Sequence, residues 1–310
     1  MFVVCGEALM DVFAAGDTPT GMALDARIGG SPFNVAVGLA RMGQPAGFLG
    51  GVSQGFLGER LLQALKHEGV DLRCVHRLDA PTTLSLVGLD AQGVPSYAFY
   101  GEGAADRLLP LTALENVPPE ARVFQFGSYA MVVEPVAATQ RALVEREHRR
   151  SLIAYDPNIR LNVEPDIQRW RDTLAWMLPR THLLKVSEED VGLLFPGAEL
   201  DALAREWLSQ GVALVVITRG GEGALAWTAS AQARSEAVRI ELVDTVGAGD
   251  TFQAALLTWL AEHDALSAPS LRGLSKTQLS QALAFAAQAA AITCSRRGAD
   301  LPRRSELPSV

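Results

Sequence analysis

Cysteine is scarce. The 310 residues include only Cys5, Cys74 and Cys294, an odd number with no Cys-x-x-Cys spacing, which indicates neither a disulfide framework nor a zinc site. They are expected to be small buried hydrophobes in a reducing compartment. Long runs of one charge are also missing. The formal charge is −8, from 27 basic and 35 acidic residues, and Arg149-Arg150 and Arg303-Arg304 are too short to build the basic face a nucleic acid needs. They read as solvated charge at element ends. No apolar run reaches the ~20 residues that cross a bilayer; the longest, from Ala282 to Cys294, is interrupted by Gln288. The start, Met1 to Gly6, lacks a basic region and meets glycine too soon for a signal peptide. The protein is therefore expected in the cytoplasm, with neither membrane nor nucleic acid as partner.

What is present suits one well-packed α/β unit. With 48% hydrophobic and 20% charged residues the composition is ordinary for a globular core, and 310 residues fit one large domain with a small appendage. Phe2 to Cys5 reads as a short buried strand. Asn34 to Met42 has helical spacing and stops at Gly43, and a second helix is expected near Gly58–Glu68. Between Thr82 and Tyr100 the pattern becomes that of an antiparallel hairpin around Asp90-Ala91-Gln92-Gly93, and residues 12–28 have weak strand character that would let them join it. From Leu109 onward apolar runs alternate with helical segments: Val123–Phe126, Leu152–Tyr155, Leu183–Val186 and Leu214–Thr218. That alternation predicts βαβ crossovers and a three-layer α/β/α fold with a mostly parallel central sheet. Ligands of such sheets bind at the carboxyl ends of the strands. This points at Asp156-Pro157-Asn158, Lys185, Thr218 to Gly221, and Asp244-Thr245.

The most informative stretch is Val243-Asp244-Thr245-Val246-Gly247-Ala248-Gly249-Asp250-Thr251-Phe252. A strand end, two glycines and a helical pattern follow one another, so the backbone can turn tightly and aim free N–H groups at an anion. Asp250 stands at the helix start. Taken alone this is equally a glycine turn with a capping aspartate. It is neither a phosphate loop ending in Gly-Lys-Ser/Thr nor a dinucleotide fingerprint.

Val243–Phe252 resembles the C-terminal signature of the ribokinase-like (PfkB) carbohydrate kinases, and Gly29-Gly30-Ser31-Pro32-Phe33-Asn34-Val35-Ala36 resembles their N-terminal one. Gly6 to Asp11, Tyr155 to Arg160 and Arg297 to Pro302 match in the same order, so the resemblance covers nearly the whole chain. Within the family the chain looks most like the fructokinase branch.

The resemblance implies a single kinase domain over 1–310, with a small β-sheet lid formed by about 12–28 and 82–104. It implies ATP-dependent phosphorylation of a sugar hydroxyl, with Asp250 as base and the N–H groups of Gly247, Ala248 and Gly249 holding phosphoryl oxygens. Asp11, Gly30, Asn34 and Arg160 would bind the sugar, with Tyr97 and Phe99 covering it from the lid. Without the resemblance Asp11 could be a turn residue, Asn34 a helix cap and Arg160 part of a surface ion pair. Lys185, Thr218, Gly220, Gly221 and Gly223 would lie along the nucleotide phosphates. Mg²⁺ would arrive with ATP near Glu189 or Asp190, and K⁺ would sit by Asp244 with carbonyls near Val246, Thr293, Arg296 and Gly298. A homodimer paired through the lids is expected.

Two departures bear on specificity. Gly101 stands where fructokinase-like chains carry an arginine, and Ala287 where a polar residue meets adenine. A 2-keto-3-deoxygluconate kinase, a ribokinase-type or nucleoside kinase, and a non-catalytic sugar or nucleotide sensor are the competing readings.

Overall fold

The computed structural model describes residues 1–89 and 95–308. Its central sheet contains β1 (Phe2–Cys5), β4 (Ala46–Ser53), β5 (Val75–Leu78), β8 (Val123–Gly127), β9 (Leu152–Asp156), β10 (Leu183–Ser187), β11 (Leu214–Thr218), β12 (Ala224–Trp227) and β13 (Gln232–Ser235). The order across the sheet is β13-β12-β11-β10-β9-β8-β1-β4-β5. From β5 to β11 the pairings are parallel, while β12 and β13 add an antiparallel edge. The lid sheet, ordered β3-β2-β6-β7, contains β2 (Leu9–Thr18), β3 (Gly21–Gly29), β6 (Leu84–Leu89) and β7 (Pro95–Tyr100). Its first hairpin is longer than the expected 12–28. The expected turn at Asp90–Gly93 and the Tyr97 side chain lie outside the described residues.

The strands read as apolar runs because both faces are buried. In β1, Phe2 and Val4 enter one core while Val3 and Cys5 enter the other. The first core is shared with α1 (Ser31–Arg41), α2 (Phe56–His67), α7 (Ala248–Glu262) and α9 (Lys276–Cys294); α8 (Ala268–Arg272) adds Leu271. The second is covered by α3 (Val136–Glu147), α4 (Ile167–Met177), α5 (Glu188–Leu194) and α6 (Leu200–Ser209). The three-layer α/β/α arrangement expected from the alternation is therefore present. Among the described residues, no helix is long and apolar enough to cross a membrane.

Two contacts fix α7 at the site. Thr251 Oγ1 and Thr293 Oγ1 lie 2.8 Å apart, joining α7 to α9. Gln253 Nε2 donates to Gln125 Oε1 on β8 at 2.6 Å, and both glutamines are buried. Such pairs satisfy polar groups the core would otherwise strand, so they specify one placement of the helix.

The lid meets the main body through Asp106. This buried carboxylate accepts from Thr83 Oγ1 at 2.6 Å and Tyr129 Oη at 2.8 Å, and Phe99 packs edge-on against the Tyr129 ring. Beside it, a Cβ on Gly101 would fall 2.5 Å from Arg107 Nη2. The space a side chain at 101 would need is thus filled by the Arg107 guanidinium, which lies over the Tyr129 ring.

Candidate active site

The carboxyl ends of the parallel strands open into one cavity of about 1510 Å³. Its floor follows the strand order, with Glu7 after β1, Ser128 after β8, Asn158 after β9, Lys185 on β10 and Thr218 ending β11. Four strand spacings span roughly 19 Å.

At one end the cavity is bounded by α1, α7 and the lid. α7 begins at Gly247, whose φ is 78° and where a Cβ would fall 2.6 Å from the Ala299 Cβ. Only glycine makes this turn without strain. The first turn of α7 then carries Asp250 into the cavity. Its Oδ1 accepts from Ser31 Oγ at 2.6 Å and its Oδ2 from Asn34 Nδ2 at 2.8 Å. Asn34 is therefore not the cap of α1. That position belongs to Gly30, at φ 106°, where a Cβ would crowd the Glu7 carbonyl oxygen at 2.7 Å. Of the three N–H groups expected at the turn, that of Ala248 donates to Thr245 O at 3.2 Å. Those of Gly247 and Gly249 have no backbone partner among the described residues.

Asp11 is not a turn residue. It lies within β2, opposite Arg27 on β3 and Ser85 on β6, and it lines the same cavity as Asp250. Burial pushes its carboxyl upward from the ordinary range, and nearby Asp250 adds to this; Ser85 and Arg160 offset only part. Arg160 borders the cavity, donates to the Ile159 carbonyl at 2.9 Å and has no ion pair among the described residues. Phe99 contributes the lid's apolar wall.

Toward the other end stands a buried ion pair. Lys185 Nζ lies 2.7 Å from Asp156 Oδ2, and 3.3 Å from where a Cβ on Gly249 would project. Burial opposes the ammonium charge, but Asp156 outweighs it and the net shift of Lys185 is upward. Thr218, Gly220, Gly221 and Gly223 all border the cavity, and Arg219 N–H closes their loop onto the Gly223 carbonyl at 2.8 Å. Val238, Ile240 and Leu242 also line the cavity, as do Ala287, Ala291 and Cys294 of α9. Cys294 is thus half-buried at the cavity, whereas Cys5 and Cys74 are buried.

Asp190 Oδ1 accepts from Ile159 N–H at 3.1 Å, while Glu189 is exposed and borders the cavity. Among the described residues no three acidic, histidine or cysteine side chains could together hold a metal. Asp244 accepts from Val246 N–H at 3.0 Å and Gly298 N–H at 2.8 Å, tying the segment before α7 to the one after α9. The Thr293 and Gly298 carbonyls each accept one N–H, from Arg296 and Asp300, which leaves each a free lone pair. The Arg296 guanidinium is committed to Asp300 and Glu306, so only its carbonyl remains for a cation.

The family model for pfkB family carbohydrate kinases matches residues 1–306. The chain belongs to this family. It is a sugar kinase. It is 34% identical over 279 residues to a fructokinase of Rhizobium leguminosarum bv. trifolii, covering 90% of this chain and 85% of that protein. The fructokinase of Xylella fastidiosa with bound ATP superposes with a TM-score of 0.87 at 25% identity, covering 98% of this chain and 96% of that one. The fructokinase of Vibrio cholerae O395 in its fructose, ADP and calcium form gives 0.80 at 25% identity, covering 96% and 94%.

Sequence reasoning on this sugar kinase missed four contributors. Ser31 and Glu7 are visible in the sequence only as members of motifs, Asp156 only as part of a strand-end segment and not as the partner of Lys185, and Ser128 not at all. One signal was available: Glu7 is a lone carboxylate inside the apolar run Val3–Met10, where a charge is expected only if buried for a purpose.

Proposed function

We propose that this carbohydrate kinase transfers the terminal phosphoryl group of ATP to a hydroxyl of fructose, with Asp250 as the base. The observation that carries this reading is the Asp250 carboxylate, set at the start of α7 and bracketed by Ser31 and Asn34 in the cavity that also holds Asp11. The hydroxyl proton passes to Asp250, the sugar oxygen forms its bond to phosphorus, and the bond to the bridging oxygen breaks with its electron pair leaving on ADP. Positioned bases of this kind contribute on the order of 10²–10⁴ in rate.

In this reading Asp11, Asn34 and the Gly30 backbone hold the sugar, Arg160 supplies a cation beside it, and Phe99 excludes water from above. Lys185 and the free N–H groups of Gly247 and Gly249 face the transferred phosphoryl group, where charge-assisted donors are strongest. Thr218, Gly220, Gly221 and Gly223 run beneath the remaining phosphates, and the apolar wall around Ala287 receives the base. Mg²⁺ would supply charge neutralisation on the phosphates, with Glu189 an exposed carboxylate at the cavity available to its waters. K⁺, held by carbonyls of the segments that Asp244 joins through the Val246 and Gly298 N–H groups, would supply positive charge beside the turn that leads into Gly247. A homodimer pairs through the exposed lid, and the cytoplasm supplies the ATP.

The test is ADP release with Mg²⁺ and K⁺ against fructose, ribose, 2-keto-3-deoxygluconate and nucleosides. Fructose preferred supports the reading. Another preferred substrate keeps the chemistry and changes the acceptor, and no release with any of them overturns it.

A further inference from the structure

Three polar groups in the cavity have no hydrogen-bond partner among the described residues: Glu7 Oε2, Ser128 Oγ and Asn158 Nδ2. Glu7 is 2% exposed and Ser128 1%. Buried polar atoms left bare in this way are uncommon and call for a partner that is not part of the chain. The three follow neighbouring strands, β1, β8 and β9, so they form one patch rather than three accidents. Ser128 and Asn158 moreover hold left-handed backbone, at φ 57° and 41°, which turns their side chains in a way an ordinary strand end does not. Their neighbours are already engaged. Tyr129 Oη donates to Asp106, and Arg160 Nη1 donates to the Ile159 carbonyl.

We propose that Glu7, Ser128 and Asn158 form a second polar subsite of the sugar pocket, which binds a hydroxyl other than the one phosphorylated and so determines which sugar is accepted. This inference rests on the reading of the cavity as a sugar site. Burial pushes the Glu7 carboxyl up to about 8, so at pH 7 it is a neutral acid that both donates and accepts. With the Ser128 hydroxyl and the Asn158 amide, the patch offers the mixed donor and acceptor set that a sugar hydroxyl requires. The Ser128 hydroxyl is near enough to offset part of the burial effect on the Glu7 carboxyl, yet neither Ser128 Oγ nor Glu7 Oε2 has a hydrogen-bond partner among the described residues. A subsite for a ligand and a pair that merely satisfies itself therefore predict different things.

Ser128→Gly separates them, because it removes the hydroxyl and suits the left-handed backbone. Melting temperature without sugar, and kcat and KM for fructose and its singly deoxygenated analogues, would be measured on the intact enzyme. The expected result is an unchanged or higher melting temperature, with KM for fructose raised about three- to tenfold, the loss of one neutral hydrogen bond. One deoxy analogue should show the same KM on wild type and variant. Glu7→Gln, which keeps a donor and an acceptor, should recover most of what Glu7→Ala loses in KM. A lower melting temperature with unchanged KM would overturn the subsite, as would a KM penalty spread equally over all analogues. In either case wild-type turnover of fructose would leave the kinase reading standing. Absence of turnover in wild type would remove that reading instead.

Discussion

Ser31 and Asp250, 219 residues apart in sequence, are joined by a hydrogen bond of 2.6 Å from the serine hydroxyl to the carboxylate. With Asn34 on the other oxygen at 2.8 Å, α1 fixes the carboxylate plane of a residue carried by α7. A hydrogen bond to an ionised group is worth about 1.5–3 kcal/mol, so Ser31→Ala is expected to lower kcat roughly tenfold or more through loss of orientation. Asp250→Ala should lower kcat by about 10²–10⁴ while leaving the melting temperature within a few degrees of wild type. Steady-state ADP release and calorimetry on both variants decide. Unchanged kcat in Asp250→Ala would remove it as the base.

The Lys185–Asp156 pair predicts a stability effect and an activity effect that come apart. Lys185→Met leaves the Asp156 carboxylate buried and unpaired, which costs about 3–5 kcal/mol. Adding Asp156→Leu removes that stranded charge, so the double variant should regain most of the lost stability. It should not regain activity, since the ammonium beside Gly249 is still gone. Recovery of both together would mean that Lys185 serves only the fold.

Most of the architecture could be read from the sequence because its causes are local. Strands such as Val123–Gly127 and Leu214–Thr218 are covered on both sides, so they appear as bare apolar runs. The start of α7 is legible because Gly247 caps it and Gly249 and Asp250 follow within its first turn. What could not be read depends on distant contacts. Ser31 looks like an ordinary serine until α1 and α7 meet. Lys185 reads as a strand-end lysine that could meet phosphate charge, and nothing near it in sequence shows that β9 supplies Asp156 as its buried partner. The antiparallel edge formed by Ala224–Trp227 and Gln232–Ser235 was hidden because Gly220 to Gly223 carry only a loop signal. The partnerless hydroxyl of Ser128 is a property of the packed cavity with no signature in the residues beside it, whereas for Glu7 the apolar run around it hints at burial but not at a missing partner.

Dimer formation through the lid can be tested by charge. Met22 and Leu24 on β3 are 64% and 54% exposed, and Tyr100 at the end of β7 is 62% exposed, an apolar presence unusual for an isolated sheet face. Light scattering is expected to give twice the chain mass of 33.1 kDa for wild type and the single mass for Leu24→Asp. Wild type at the single mass across micromolar concentrations would exclude the lid-paired dimer.

Glu7 links the cavity to pH. In the unfolded chain its carboxyl titrates near 4.5, whereas burial raises it to about 8 in the fold. The folded state therefore holds the proton over a range in which the unfolded state has released it. The contribution to stability is complete below pH 4.5, shrinks by about 1.4 kcal/mol per pH unit as pH rises, and is gone once pH passes about 8. Glu7→Gln cannot ionise, and every other titrating group is common to both proteins. The melting temperature of Glu7→Gln minus that of wild type should thus grow between pH 5 and 8 and stay level from 8 to 9. At roughly 2–4 °C per kcal/mol for a chain approaching this size, the change is well within the reach of scanning calorimetry. A difference that does not vary with pH would mean that Glu7 is already ionised in the folded protein, held so by groups around it, and that the cavity carries one more negative charge at neutral pH.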